Sequence, residues 1–273
     1  MTDWSWDPSV IGGVALLALA YGLIPWRPSD GSPRDRRLRR LCFIGAELVL
    51  LLALVSPLDS LADQRSLLAH MIQHLLLLLV VPTLYLESLP DSFFQRLSHP
   101  RSDAVSGKIV AFARPIATPG VTFCVATGVL WFWHAPSLYE AALRSETIHA
   151  LEHLSFLVSA TLFWGPVLRP ETHPAPLPEL LQIVYLFAAA VSSTLLSALI
   201  TFSSTVLYPS YLGVTPWLGL SPLDDQQAGG VLMWVVMGLW AFAVAAIVFI
   251  RWFDQPTVDE EPGSRLEPEG ALT

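Results

Sequence analysis

At 273 residues, with 53% hydrophobic and only 14% charged residues, the chain lies far from the composition of ordinary soluble domains. Its formal charge of −8 does not make it an acidic protein, because residues 254–273 hold six acidic side chains against Arg265 alone and leave the remainder near neutral. Two cysteines, Cys42 and Cys124, fall on different predicted helices without CxC or CxxC spacing, which excludes a disulfide framework.

A helix crossing a bilayer needs about 20 mostly apolar residues, since lipid offers no partner for an open backbone group. Seven stretches meet this demand: Val10 to Trp26, Leu41 to Leu58, Leu67 to Leu86, Ile116 to His134, Ile148 to Leu168, Leu180 to Ser203 and Ala228 to Ile250. The opening MTDWSWDP lacks the basic start of a cleavable signal peptide, so the first helix is expected to be retained. The expected fold is therefore all-α, an integral membrane bundle of seven transmembrane helices over residues 1–253. Residues 254–273, with three prolines and no apolar run, read as a disordered acidic cytoplasmic tail rather than a docking segment.

Lysine and arginine resist translocation and mark the cytoplasmic side of short loops. Thirteen follow the first, third, fifth and seventh predicted helices, including the run Arg34, Arg36, Arg37, Arg39 and Arg40; only Arg65 and Arg144 lie on the other side. This places the N-terminus outside and the C-terminus inside. A nucleic-acid or anionic-lipid patch would explain the arginine run alone, whereas a topology signal explains all thirteen. Nucleic acid is not an expected partner; the bilayer is.

With that orientation, five of seven histidines gather near the outer ends of helices. His70 and His74 begin the third, His134 ends the fourth, and His149 and His153 begin the fifth; His99 and His173 lie on the other side. Residues four apart on a helix share a face, with Cβ atoms about 6 Å apart. His70-Met-Ile-Gln-His74 and His149-Ala-Leu-Glu-His153 each offer two imidazoles in this way, the geometry that helical metal sites use. One such histidine alone reads as an interfacial residue bonded to a loop. Two pairs joined by His134 read as a metal or haem site, because ionisable groups at this depth face a bundle interior. The same face carries Asp59, Asp63, Gln73, Glu140, Glu152, Asp225 and Gln226 as alternative ligands or as residues that orient them, Glu152 and Asp225 fitting the orienting role. Met71 and Met233 nearby lean slightly toward copper(I), although methionine is more often a packing residue.

Elsewhere packing suffices as an explanation. Glu47 is expected to reach Arg40, the small residues Ser192, Ser193, Thr194, Ser197 and Thr201 to bring helices close, and Trp131, Trp133 and Trp164 to anchor at the interfaces. No phosphate-binding glycine loop, GxSxG elbow or repeat occurs.

Five segments carry a resemblance: Ser56-Pro-Leu-Asp59; His70-Met-Ile-Gln-His74 with its leucine run and Pro82; Trp133-His-Ala-Pro-Ser-Leu-Tyr-Glu140; His149-Ala-Leu-Glu-His-Leu-Ser-Phe156; and Asp225-Gln-Gln-Ala-Gly-Gly with Met233-Trp234. In this order they resemble the CtaG-type cytochrome c oxidase assembly factors, the multi-span bacterial proteins rather than the single-span copper chaperone of the same name. The pattern departs at Pro82-Thr83, where the family has a double proline, and at Glu87, where glycine is common. The resemblance implies a bacterial plasma-membrane protein, not an enzyme, that works with haem-copper oxidase subunits in building a metal centre. Copper is the expected cargo at His70, His74, His134, His149 and His153. The residues alone leave open a zinc-dependent intramembrane hydrolase, with Glu152 activating water, and a bis-histidine haem protein.

Overall fold

The computed structural model describes residues 4–98, 115–169, 173–214 and 217–254, and every long element among them is a helix. We number these α1 (Pro8–Gly22), α2 (Pro33–Leu54), α3 (Pro57–Gln64), α4 (Leu67–Ser88), α5 (Asp91–Ser98), α6 (Pro119–His134), α7 (Pro136–Arg144), α8 (Glu146–Leu168), α9 (Glu179–Thr201) and α10 (Pro222–Phe253). A 3₁₀ turn, Pro209–Tyr211, interrupts the loop before α10. The acidic tail beyond residue 254 and His99 lie outside the described residues.

Four helices, α4, α8, α9 and α10, are long and apolar enough to cross a membrane. Two more crossings exist only if bent pairs count as one, α2 with α3 at 43° and α6 with α7 at 74°. Each bend has a local cause. Pro57 and Pro136 stand at the first positions of α3 and α7, where proline lacks the N–H that would continue the preceding helix. The remaining expected span, α1, has 15 residues and is about 22 Å long, short of the ~30 Å hydrocarbon core. The result is a membrane-type helical bundle of four to six candidate spans, rather than seven uniform ones.

Two helices, α2 and α10, start well outside their apolar windows. Ser32 and Asp35 form a reciprocal capping box that starts α2 at Pro33, inside the arginine run, and the Ser221 hydroxyl accepts from the Asp224 amide to start α10 at Pro222. Hydropathy marks where lipid contact is favourable; caps mark where the backbone begins to turn.

Helix α4 occupies the centre, packed against α2, α3, α8 and α10, and its apolar window is 67% buried against 11% for α10. Helices α9 and α10 turn large apolar side chains outward, Phe187, Phe202 and Phe242 among them, as a lipid-facing surface requires. They approach each other closely at Gly230, where a Cβ would sit 2.4 Å from Thr201 Oγ1 and 2.9 Å from the Thr201 amide nitrogen. Ser193 and Ser197 on α9 donate to carbonyls of their own helix and leave a smooth surface, as expected of close packing.

In the middle of α4, Leu76–Val80 widens into a π turn ahead of Pro82. Proline has no N–H for the carbonyl four residues back, Leu78, and that oxygen instead accepts from Trp164 Nε1 at 2.9 Å. Trp164 is buried, as is Trp133, whose Nε1 donates to Ser155; Trp131 Nε1 donates to Ser192. These indoles join helices within the bundle, correcting their expected role as interfacial anchors. Glu47 likewise accepts from Tyr85 at 3.1 Å rather than pairing with Arg40, because both groups face the α2–α4 contact.

At the far end of α4, Arg169 donates to the Leu86 and Glu87 carbonyls, and Arg39 to that of Leu89 and to the Asp91 carboxylate. The last four carbonyls of a helix lack intrahelical donors; Arg169 supplies those of Leu86 and Glu87, the Ser88 hydroxyl that of Tyr85 and the Tyr21 hydroxyl that of Ser88. Beside them, Asp30 accepts from the Ser92 amide and hydroxyl and from the Arg27 amide. Burial would raise this carboxyl, but the three bonds prevail and hold it below the usual carboxylate range.

Candidate metal centre

The opposite end of α4 is built with equal care. Ser66 caps the helix by accepting from the Ala69 amide, and its hydroxyl donates to Asp225 Oδ1 at 2.7 Å; Asp225 Oδ2 accepts from the Leu68 amide. This anchors the first turn of α4 to α10 and fixes the direction in which His70 and His74 point.

Both rings turn inward, on successive turns, with centroids 4.3 Å apart. From α8, His149 and His153 meet them, 4.1 Å from each other; His70 lies 5.4 Å from His149 and 6.1 Å from His153. His134, the last residue of α6 before the bend, brings its ring 5.7 Å from that of His74, and His153 stands at the same distance on another side. All five imidazoles therefore pack together, with His70, His74 and Glu152 at 0–1% exposure.

The hydrogen bonds select a tautomer for two of them. His134 Nδ1 donates to the Leu130 carbonyl at 2.7 Å, which leaves Nε2 bare. Tyr211 spends its single proton on the Ala62 carbonyl at 2.7 Å, so at 3.3 Å it accepts from His70 Nδ1, again leaving Nε2 bare. Tyr139 lies 3.0 Å from Tyr211 and donates to the same oxygen, completing the support. This is the arrangement in which a ligating histidine is usually held, one nitrogen bonded outward and the other free.

Buried polar atoms normally find partners, yet His70, His74, His134, His149 and His153 all have Nε2 unpartnered, and both Glu152 oxygens are unpartnered too. Glu152 Oε1 comes within 3.5 Å of His74 Nε2, and Asp63 Oδ1 within 3.5 Å of His149 Nε2, without forming a hydrogen bond in either case. The donor atoms of His70, His149, Glu152 and His153 lie within 4.8 Å of one another. Donors around a tetrahedral ion bound at about 2.1 Å stand roughly 3.4 Å apart, so a small inward movement of side chains would close the group on a cation. Three imidazoles and one carboxylate form a donor set suited to copper or zinc.

The other residues singled out from the sequence divide by what they touch. Glu152, expected to orient a ligand, stands among the donor atoms themselves. Gln73 donates to Asp59 and to the Ala53 carbonyl, each at 2.9 Å, and Ser5 donates to the other Asp59 oxygen, so this pair ties the N-terminal segment to α4. Asp225 holds Ser66 and not a histidine. Glu140 accepts from the Ser210 amide and hydroxyl, and Gln226 accepts from the Leu207 amide; both fasten the loop before α10. Met71 follows His70 by one residue, a rotation of about 100°, and packs on Gly229, while Met233 sits with it in the apolar core. The contacts of neither thioether favour a ligand role. Sequence reasoning passed over Tyr139, Tyr208, Tyr211 and Phe156, which wall the group; Tyr139 and Phe156 lie inside two of the quoted segments, but Tyr211 stands in a loop with no periodicity to mark it.

Comparison with known proteins extends the geometry. Residues 17–255 match the cytochrome c oxidase caa3 assembly factor family, Caa3_CtaG, and so almost the whole described bundle lies within the match. The chain belongs to that family. The family is one of assembly factors and not of enzymes, and every histidine of the cluster falls inside the matched residues. Two curated relatives, uncharacterized protein Mb0105 of Mycobacterium bovis and uncharacterized protein MT0111 of Mycobacterium tuberculosis, are each 26% identical to it over 200 residues, 68% of this chain. The match covers 30% of each relative, so the chain spans less than a third of their length. No solved structure matches.

Proposed function

We propose that this caa3 assembly factor holds a copper ion in transit at His70, His149, Glu152 and His153, with His74 and His134 beside them, and passes it to a haem-copper oxidase subunit. The observation that carries this reading is the convergence of five bare imidazole nitrogens and a buried, unpartnered carboxylate from three helices. Leaving such groups without a partner costs roughly 1–3 kcal/mol each, more for a charge, and an ion would satisfy them together. Membership of an oxidase assembly family supports copper over zinc, since the thioethers give no preference. Rings packed 4.1–6.1 Å apart favour a small ion over a haem, which needs a flat macrocycle between its two axial imidazoles.

The arginine distribution supports a plasma-membrane protein with its N-terminus outside, which sets the cluster at the extracytoplasmic face where a copper supply arrives. The seven-span reading then needs α1 to cross a locally thinned bilayer, at a fraction of a kcal/mol per ångström of mismatch.

Replacing His70 and His74 together by alanine tests the proposal. The variant inserts and keeps its helical content by circular dichroism, but the purified protein retains no copper and the oxidase of the host lacks its copper centre. A fully metallated, active oxidase in cells carrying that variant would overturn the assignment.

A further inference from the structure

The histidine group is closed on every side but one. His70, His74, His134 and Glu152 are at most 3% exposed, and what exposure remains belongs to His153 at 8% and to the His149 side chain at 12%. Those two residues form the inner wall of a cavity of about 390 Å³ between the N-terminal segment, α3 and the start of α8. His153 is more than nine-tenths buried there, with Nε2 unpartnered. The remaining charged lining is acidic, Asp7, Asp59, Asp63 and Glu146, and among the described residues no lysine or arginine lines it.

The four carboxylates are not equivalent. Asp59 is engaged by Ser5 and Gln73, and Asp7 caps α1 through the Ser9 amide. Asp63 Oδ1 has no hydrogen-bond partner and lies 3.5 Å from the bare His149 Nε2, so this lining carboxylate stands beside a donor of the buried group. We infer that this acidic cavity is the entrance by which a metal cation reaches the cluster, with Asp63 as the oxygen ligand that hands the ion to His149. The inference rests on reading the histidine group as a metal site. A cleft lined by one sign of charge raises the local concentration of the opposite ion and its rate of arrival by about 10-fold to 10³-fold. A carboxylate binds soft and borderline ions less firmly than imidazole, so transfer runs inward.

The test is the rate of Cu(I) uptake by the full chain in detergent, followed by stopped flow. D7N/E146Q keeps both side-chain shapes and leaves the histidines untouched. At low salt it loads on the order of 10-fold more slowly than wild type, reaches the same final stoichiometry, and loses the difference at about 0.5 M salt, where the Debye length is only a few ångströms. D63N loads slowly at every salt concentration. D224N, which removes a charge outside the cavity, loads as wild type does. In a variant whose Cys42 and Cys124 are serine, a methanethiosulfonate label on A150C, in the cavity wall, blocks uptake, and reduction restores it. Unchanged rates in D7N/E146Q and D63N while wild type takes up Cu(I), or an A150C label without effect, would overturn the entrance and leave the metal site standing. Absence of Cu(I) uptake by wild type would overturn both.

Discussion

Glu152 shows how much one side chain asks of its surroundings. It is fully buried, neither oxygen accepts a hydrogen bond, and the imidazoles of His70, His74, His149 and His153 lie close to it. An isolated carboxylate in such a place either takes a proton or holds a cation. If it holds copper, Glu152→Gln removes a charged ligand while preserving volume. Because residues that merely orient a metal ligand cost about 10–100-fold in affinity when changed, this substitution should weaken copper binding at least 10-fold in a chelator competition, with the fold retained. Equal affinity in wild type and variant would return Glu152 to a packing role. Tyr211 works at the same scale from outside the group, since its one proton, committed to Ala62, decides which nitrogen of His70 is left bare.

At the scale of elements, the site depends on helices that are interrupted or pressed together at chosen places. Proline at the first position of α3 and α7 turns the chain just before Asp59 and just past His134, so that short helices bend over the end of the bundle and wall the cluster. The α9–α10 contact supports the opposite flank, because α10 carries Asp225, which orients α4. Gly230→Ala drives a methyl group into the Thr201 backbone, and we expect it to destabilise the protein by about 2–3 kcal/mol, the upper range for overpacking. Gly238, on the same helix, has nothing within 4 Å of an added Cβ, and its replacement by alanine should match or slightly exceed wild type, since alanine favours helix. Thermal unfolding in one detergent compares the pair directly; equal melting temperatures would mean that the two helices do not meet as closely as described.

For the whole molecule the question is which end faces out. The central helix α4 is capped at one end by Arg39 and Arg169, beside Arg96, and carries His70 and His74 at the other. The positive-inside rule predicts a cytoplasmic arginine end. In a variant whose Cys42 and Cys124 are serine, a cysteine at the exposed Leu218, in the loop that leads to α10, should therefore react with an impermeant maleimide in intact cells. Labelling seen only after the cells are opened would invert the bundle and put the cluster on the wrong side for an extracytoplasmic metal supply.

Sequence alone determined what depends on neighbours along the chain. Apolar length marked the long helices, and the i,i+4 spacing put His70 with His74 and His149 with His153, since a helix fixes which residues share a face; the arginine bias gives an expected orientation. Five ordered segments also placed the chain in its family. Only the tertiary structure decided what depends on contacts between distant residues. Glu152 joined the donors while Asp225, with the same charge and a similar position at a helix start, became the support of Ser66. Two predicted spans, Leu41 to Leu58 and Ile116 to His134, are continued past a proline by short helices bent away from them, because hydropathy registers apolar content and is blind to a proline at a cap. A donor's role follows from the atoms that face it across the bundle, and no periodicity along one helix encodes those.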